Sequence, residues 1–70
     1  MTKLKQELKA AAPSIETLSD HIVEMTYDAE SQLAGEDSIG HDITMGNIRA
    51  DALQMWAIYQ RLLKVRESKA

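Results

Sequence analysis

The residues that could do chemistry in this sequence are few. His21 lies next to Asp20 and three residues before Glu24, so on a helix its imidazole and the Glu24 carboxylate would be one turn apart. Metal-binding helical bundles place Glu before His at this spacing on paired helices, whereas here the order is reversed and occurs once. A homodimer would duplicate the two residues, so a dimeric helical metal site is a minor alternative. Apart from this alternative, we predict no metal ligand, no cofactor and no catalytic residue.

Other kinds of active site lack their sequence signatures. His21 is followed by Ile-Val-Glu-Met and not by the lysine and glycine that would mark a phosphorelay histidine. Asp37, His41 and Asp42 do not have the spacing of a calcium-binding loop. No glycine-rich phosphate loop or nucleophile elbow occurs, and a small helical hairpin offers no cleft for a ligand. We therefore expect a protein that is not an enzyme.

Acidic residues form the most regular chemical pattern in the chain. No lysine or arginine lies between Lys9 and Arg49, whereas eight acidic residues do. Like charges four residues apart destabilise a helix by about 0.2–0.5 kcal/mol per pair. Carboxylates at this spacing also repeat at about 6 Å along a helix axis, comparable to the phosphates of a nucleic-acid strand. Four of the acids recur every four residues and are called the acidic row: Glu16, Asp20, Glu24 and Asp28.

Two explanations of the acidic row are open. In an antiparallel hairpin the bases near the C-terminus would lie beside Glu16 and Asp20, and the row would be a solvated surface. Alternatively the row, extended by Glu36 and Asp37, docks on a basic surface of a partner protein, including one that binds nucleic acid. In size and charge the chain resembles small acidic inhibitors, such as phage-encoded proteins that block nucleic-acid enzymes. That resemblance rests on no motif.

Composition restricts the class of protein further. Seventy residues make one domain, and a core of this size rarely supplies more than roughly 3–5 kcal/mol. Without cysteine there is neither a disulfide nor a thiolate site, so oligomerisation is the stabilising device that remains, and we expect a homodimer. The net charge of −3 argues against direct nucleic-acid binding. No signal peptide or membrane span is recognisable, so we expect a cytoplasmic protein that does not enter a membrane.

The first half of the chain predicts two helices separated by a proline. Strong helix formers predict a short helix over 3–12, and Pro13 should end it. A longer helix over 14–34 then begins with Ser14 as its N-cap. Gly35 should close this helix in the left-handed conformation.

The second half predicts a polar connector and a last helix. Residues 35–44 form the connector, in which Ile39 and Ile43 are expected to cover the bundle. The last helix runs over about 45–67. We treat residues 1–70 as a single small helical domain. The expected fold is all-α, an antiparallel helical hairpin with a short N-terminal helix that dimerises into a four-helix bundle, and the alternative is a monomeric three-helix bundle.

The last helix has more apolar surface than the acidic helix can cover. At about 100° per residue, its apolar side chains occupy roughly half of its circumference, against a stripe about 80° wide on the acidic helix. The excess must contact the short N-terminal helix, a second copy or another protein. We expect four residues at this dimer or partner interface: Met55, Trp56, Tyr59 and Leu63.

These patterns predict a non-enzymatic protein-binding module. The preferred function is a small stoichiometric inhibitor or regulator that docks the acidic helix on a basic partner surface. The alternative is an adaptor, assembly subunit or chaperone-like protein that binds a partner helix through the apolar last helix. A helix-turn-helix DNA reader is disfavoured, because its turn has three to four residues whereas this connector has about ten, and because the bases of the last helix scatter.

Overall fold

The protein is an all-α hairpin. A computed structural model describes residues 2–68, which form two helices and no strand: α1 spans Thr2–Ala34 and α2 spans Ser38–Glu67. The helices are antiparallel, since Arg61 contacts Glu7 at the open end of the hairpin while Thr44 contacts Gln32 near the turn. The pair is 53 Å long and 16 by 11 Å across. Within the described residues no helix is long and apolar enough to cross a lipid bilayer.

Pro13 does not end the first helix, and the prediction of a separate helix over 3–12 is wrong. A proline inside a helix removes one backbone hydrogen bond and crowds the preceding turn. The backbone nevertheless stays helical on both sides, and the Thr17 hydroxyl donates to the Pro13 carbonyl at 2.9 Å. Ser14 is therefore an interior helical residue and not an N-cap. In the described part of the chain, the short first helix that the three-helix alternative requires is therefore not a separate helix.

The connector is much shorter than predicted, because α2 begins at Ser38 and leaves only residues 35–37 between the helices. Asp37 caps α2: its Oδ1 accepts a hydrogen bond from the Gly40 backbone nitrogen at 3.0 Å. The left-handed residue of the turn is Glu36, with φ of 59°, and not Gly35.

Two isoleucines expected to cover the bundle do not do so. Ile39 and Ile43 are 76% and 61% exposed. The sequence predicts that they lie in a loop that folds back on the helices, but both belong to the first turns of α2. Their positions there point away from α1, since the row that contacts α1 runs through His41 and Thr44.

Each helix contacts the other through one row of side chains. The buried and half-buried residues recur at alternating steps of three and four, as in a coiled-coil seam. The core between the rows is thin, because Met25, Ala29 and Thr44 are the buried residues of the described chain. The contact rows are Leu4, Ala11, Ile15, Leu18, Ile22, Met25, Ala29 and Gln32 in α1, and His41, Thr44, Ile48, Asp51, Met55, Ile58, Leu62 and Val65 in α2.

Candidate interaction surfaces

Two polar side-chain contacts between the helices identify one side of the hairpin, here called the polar face. His21 Nδ1 contacts the Asp51 carboxylate, and Arg61 contacts Glu7 at 3.1 Å between Nη2 and Oε1. In α1, Glu7 and His21 each follow a contact-row residue by three positions, which turns the side chain about 60° to one side of the row. The two contacts therefore show which flank of α1 adjoins which flank of α2.

The opposite side of the hairpin is apolar. A step of four residues turns a side chain about 40° the other way from the contact row. Leu8 and Leu33 occupy such positions in α1, and Ala52 and Tyr59 do so in α2. These flanks share one side because the two polar contacts occupy the other. The apolar face consists of Leu8, Ala12 and Leu33 from α1, with Met45, Ala52, Trp56, Tyr59 and Leu63 from α2, and the contact-row residues Ile15 and Ile22 border it.

Much of the apolar face is open to solvent. Trp56 is 58% exposed and Tyr59 is 51% exposed, and their rings stack with centroids 5.5 Å apart and planes inclined by 30°. Leu63 on the same face is half-buried, whereas Met55 belongs to the contact row toward α1. Large aromatic side chains on an exposed apolar surface are typical of protein interfaces.

The acidic row lies away from the apolar face, on the outer surface of α1. All four of its residues are exposed, and none of them pairs with a lysine or arginine of residues 2–68. The prediction that bases near the C-terminus neutralise Glu16 and Asp20 is wrong. Because α1 is continuous from Thr2, the end of α2 lies beside the first turns of α1, where Arg61 pairs with Glu7.

Two exposed apolar side chains accompany the acidic row. Val23 and Tyr27 are 48% and 66% exposed and lie one turn apart, next to Asp20 and Glu24 along the outer surface of α1. Neither residue was predicted from the sequence as part of a binding surface, although both recur at a spacing of four residues, in step with the row. The acidic surface is hereafter the acidic row together with Val23 and Tyr27.

The other two predicted acidic partner-binding residues lie in the turn. Glu36 is exposed and adopts the left-handed conformation. Asp37 holds the first turn of α2 through its bond to the Gly40 nitrogen, so its carboxylate has a structural role. Neither lies in the row of the four acids on α1.

The predicted metal edge is not assembled. His21 Nδ1 is engaged with Asp51 of α2 and not with Glu24. In residues 2–68 no three His, Cys, Asp or Glu side chains are grouped closely enough to hold a metal ion. His21 also lies on the polar face, so a dimer formed through the apolar face does not bring two copies of it together.

The turn of residues 35–37 has the length that helix-turn-helix DNA readers use, so the length of the connector no longer disfavours such a reader. The arrangement of the helices differs, because they run side by side along their length, whereas those of a reader cross steeply. The bases also diverge: Arg49 follows the contact-row residue Ile48 on the apolar side, and Arg61 lies on the polar face.

The molecule is thus a two-helix hairpin with two separate exposed surfaces, one apolar and one acidic. In the comparisons with protein-family models, curated proteins and solved structures, the chain matches none.

Proposed function

We propose that this chain is a non-enzymatic protein-binding module, a small stoichiometric inhibitor or regulator that docks its acidic surface on a basic surface of a partner protein. The observation that carries the proposal is the composition of that surface. Four exposed carboxylates, unpaired with bases of the described chain, lie beside an exposed valine and tyrosine.

A merely solvated helix face has no need of Tyr27 and Val23. Tyrosine is enriched among the residues that contribute most to binding, because it buries a large area and keeps a polar tip. The neighbouring carboxylates would steer the chain to a partner protein with a basic surface and repel proteins with acidic surfaces. Their repeat of about 6 Å suits a surface built for phosphates, so a nucleic-acid-binding partner fits best. The chain would then compete with nucleic acid without binding it.

The proposal includes a homodimer, in which two apolar faces pack into a four-helix bundle. The hairpin alone has a thin core, with two buried apolar residues, Met25 and Ala29, in the described chain. Packing two such faces would bury Trp56, Tyr59 and Leu8 in one step. The acidic surface lies on the outer side of α1 and would remain accessible in the dimer.

The apolar face also supports a second candidate function, that of an adaptor or assembly subunit. In that case a helix of another protein, and not a second copy, would cover Trp56 and Tyr59. Binding through the apolar face would be nearly independent of salt, whereas binding through the acidic surface would weaken steeply as salt rises. The two functions therefore differ in a simple measurement.

The experiment is capture of partners from the native host with the tagged chain, followed by titration with the purified partner. The test variant carries Asp20→Asn and Glu24→Gln, which remove two charges of the acidic surface without changing side-chain shape. The matched control carries Asp42→Asn and Glu67→Gln, which make the same chemical change on α2.

We expect the test variant to bind the partner roughly tenfold or more weakly, at about 1 kcal/mol per lost charge contact. The control should bind like the wild type. Tyr27→Ala should weaken binding by a similar factor. Equal effects of test and control variants, or binding unchanged by 0.5 M salt (roughly a 4 Å Debye length), would refute docking through the acidic surface.

A further inference from the structure

The hairpin is strongly polarised in charge along its length. Its turn half, residues 20–50, holds seven acidic residues and a single base, Arg49. Its open half, residues 2–19 and 51–68, holds four acidic residues and six bases. Each half of one hairpin therefore repels the same half of another copy and attracts the opposite half.

Two hairpins can pack face to face in two ways. If both turns lie at the same end, α1 of one copy lies on α2 of the other and the two acidic turn halves are brought together. If the hairpins run in opposite directions, α1 lies on α1, α2 lies on α2, and each turn half covers an open half. The second arrangement pairs unlike charges along the length of the dimer.

We infer that the chain dimerises with its two hairpins antiparallel, the turn half of each copy over the open half of the other. The inference rests on the proposed dimer and does not require that the acidic surface bind a partner protein. With full overlap, the midpoints of the two α2 helices coincide near Ala52. Residues equally distant from that midpoint then meet across the interface.

This register gives Arg49 a partner. Arg49, Trp56 and Leu63 are seven residues apart on α2 and share one flank of the apolar face. In the antiparallel dimer, Arg49 of one copy lies at the level of Trp56 of the other, where a guanidinium can stack on the indole ring. The same register brings Glu30 of α1 to the level of Lys9 in the other copy, an attractive pair at the edge of the interface.

Cysteine cross-linking tests the orientation directly, because the chain contains no native cysteine. Ala52→Cys places a thiol next to the two-fold axis of the antiparallel dimer, within reach of its own copy. Mild oxidation should therefore convert this single variant into a covalent dimer. Gln54→Cys is the matched control. Gln54 lies at the same level of α2 but on the polar face, six positions after the contact-row residue Ile48, so this variant should not form the covalent dimer.

The opposite orientation has its own signature. With both turns at one end, Ala52 lies diagonally across from its copy, and a mixture of Ala52→Cys and Ser19→Cys chains should couple to each other instead. Such coupling, or a dimer that tightens when salt is added, would overturn the antiparallel inference. A monomer at all concentrations in sedimentation would overturn the dimer as well, leaving the apolar face to another protein, while binding through the acidic surface could still be intact.

Arg49 supplies an independent readout. Arg49→Ala should weaken dimerisation roughly 5- to 30-fold, the range expected when two exposed cation–π contacts, related by the two-fold axis, are lost. Arg49→Lys should restore much of the affinity, because it keeps a cation over the ring. Moreover, fluorescence of Trp56, the single tryptophan, should respond to dilution in the wild type and less in Arg49→Ala. Unchanged dimer affinity in Arg49→Ala would contradict this register.

Discussion

Replacing Pro13 by alanine tests the continuity of α1, on which the register of the whole hairpin depends. In a helix interior, proline is about 3 kcal/mol less favourable than alanine. Because α1 is continuous, the bond lost here is the one that residue 13 would donate to the Lys9 carbonyl, and the Thr17 hydroxyl does not replace it, since it bonds to the Pro13 carbonyl. We therefore expect Pro13→Ala to raise the free energy of unfolding by about 1–3 kcal/mol. For a chain of this size that corresponds to a rise in Tm of about 5–20 °C.

Ser14→Ala is the companion variant, because the two descriptions of this region predict opposite signs. If a helix began after Pro13, Ser14 would be its N-cap and its loss would cost about 1 kcal/mol. Because Ser14 is an exposed residue inside α1, its replacement by alanine should instead raise the free energy of unfolding by up to about 0.5 kcal/mol. The assay is thermal and urea unfolding followed by circular dichroism at one fixed protein concentration, because a dimer would make Tm depend on concentration. Destabilisation by Ser14→Ala, together with no gain from Pro13→Ala, would refute the continuous helix.

Two further predictions concern the turn and the start of α2, and the same unfolding assay measures both. Gly46→Ala should stabilise the protein by about 0.5–1 kcal/mol, because Gly46 is inside α2 with no atom within 4 Å of an added Cβ. Gly40→Ala should not, since its Cβ would lie 2.3 Å from Asp37 Oδ2 and would displace the capping carboxylate; equal gains at both glycines would contradict the cap. Glu36→Gly should stabilise by about 1 kcal/mol, because Glu36 adopts a left-handed φ that costs an L-residue about that much. Gly35, whose φ is negative, should tolerate alanine with little change in stability. A large loss of stability in Gly35→Ala, with no gain in Glu36→Gly, would indicate that the left-handed residue is Gly35 and not Glu36.

The sequence predicted much of what depends on neighbours within one helix. The step of three and four residues from Ile15 to Ala29 identified a buried row, and that row is the centre of the contact with α2. The unusual width of the apolar surface on the last helix predicted a dimer or partner interface at Trp56 and Tyr59, and the structure shows that both side chains are exposed. The buried row was predictable because helical periodicity and side-chain direction are local properties.

Predictions failed where a local preference competed with packing. Pro13 disfavours a helix locally, but a break there would interrupt the row that α1 presents to α2. Residues 38–44 look like a polar loop, yet the Asp37 cap starts α2 there, and Thr44 is buried against Gln32. Intrinsic propensities differ by less than about 1 kcal/mol for ordinary residues and by about 3 kcal/mol for proline, so the burial of a whole row outweighs them.

The sequence by itself therefore determined that this protein is helical, which residues form its apolar rows, and that four carboxylates form one exposed row. Only the tertiary structure decided that two helices are present, that the turn lies at 35–37, and that the apolar and acidic surfaces occupy different sides. The physical reason is that contacts such as His21 with Asp51 join residues thirty positions apart. Such contacts set the register of α1 on α2, and no local pattern specifies it.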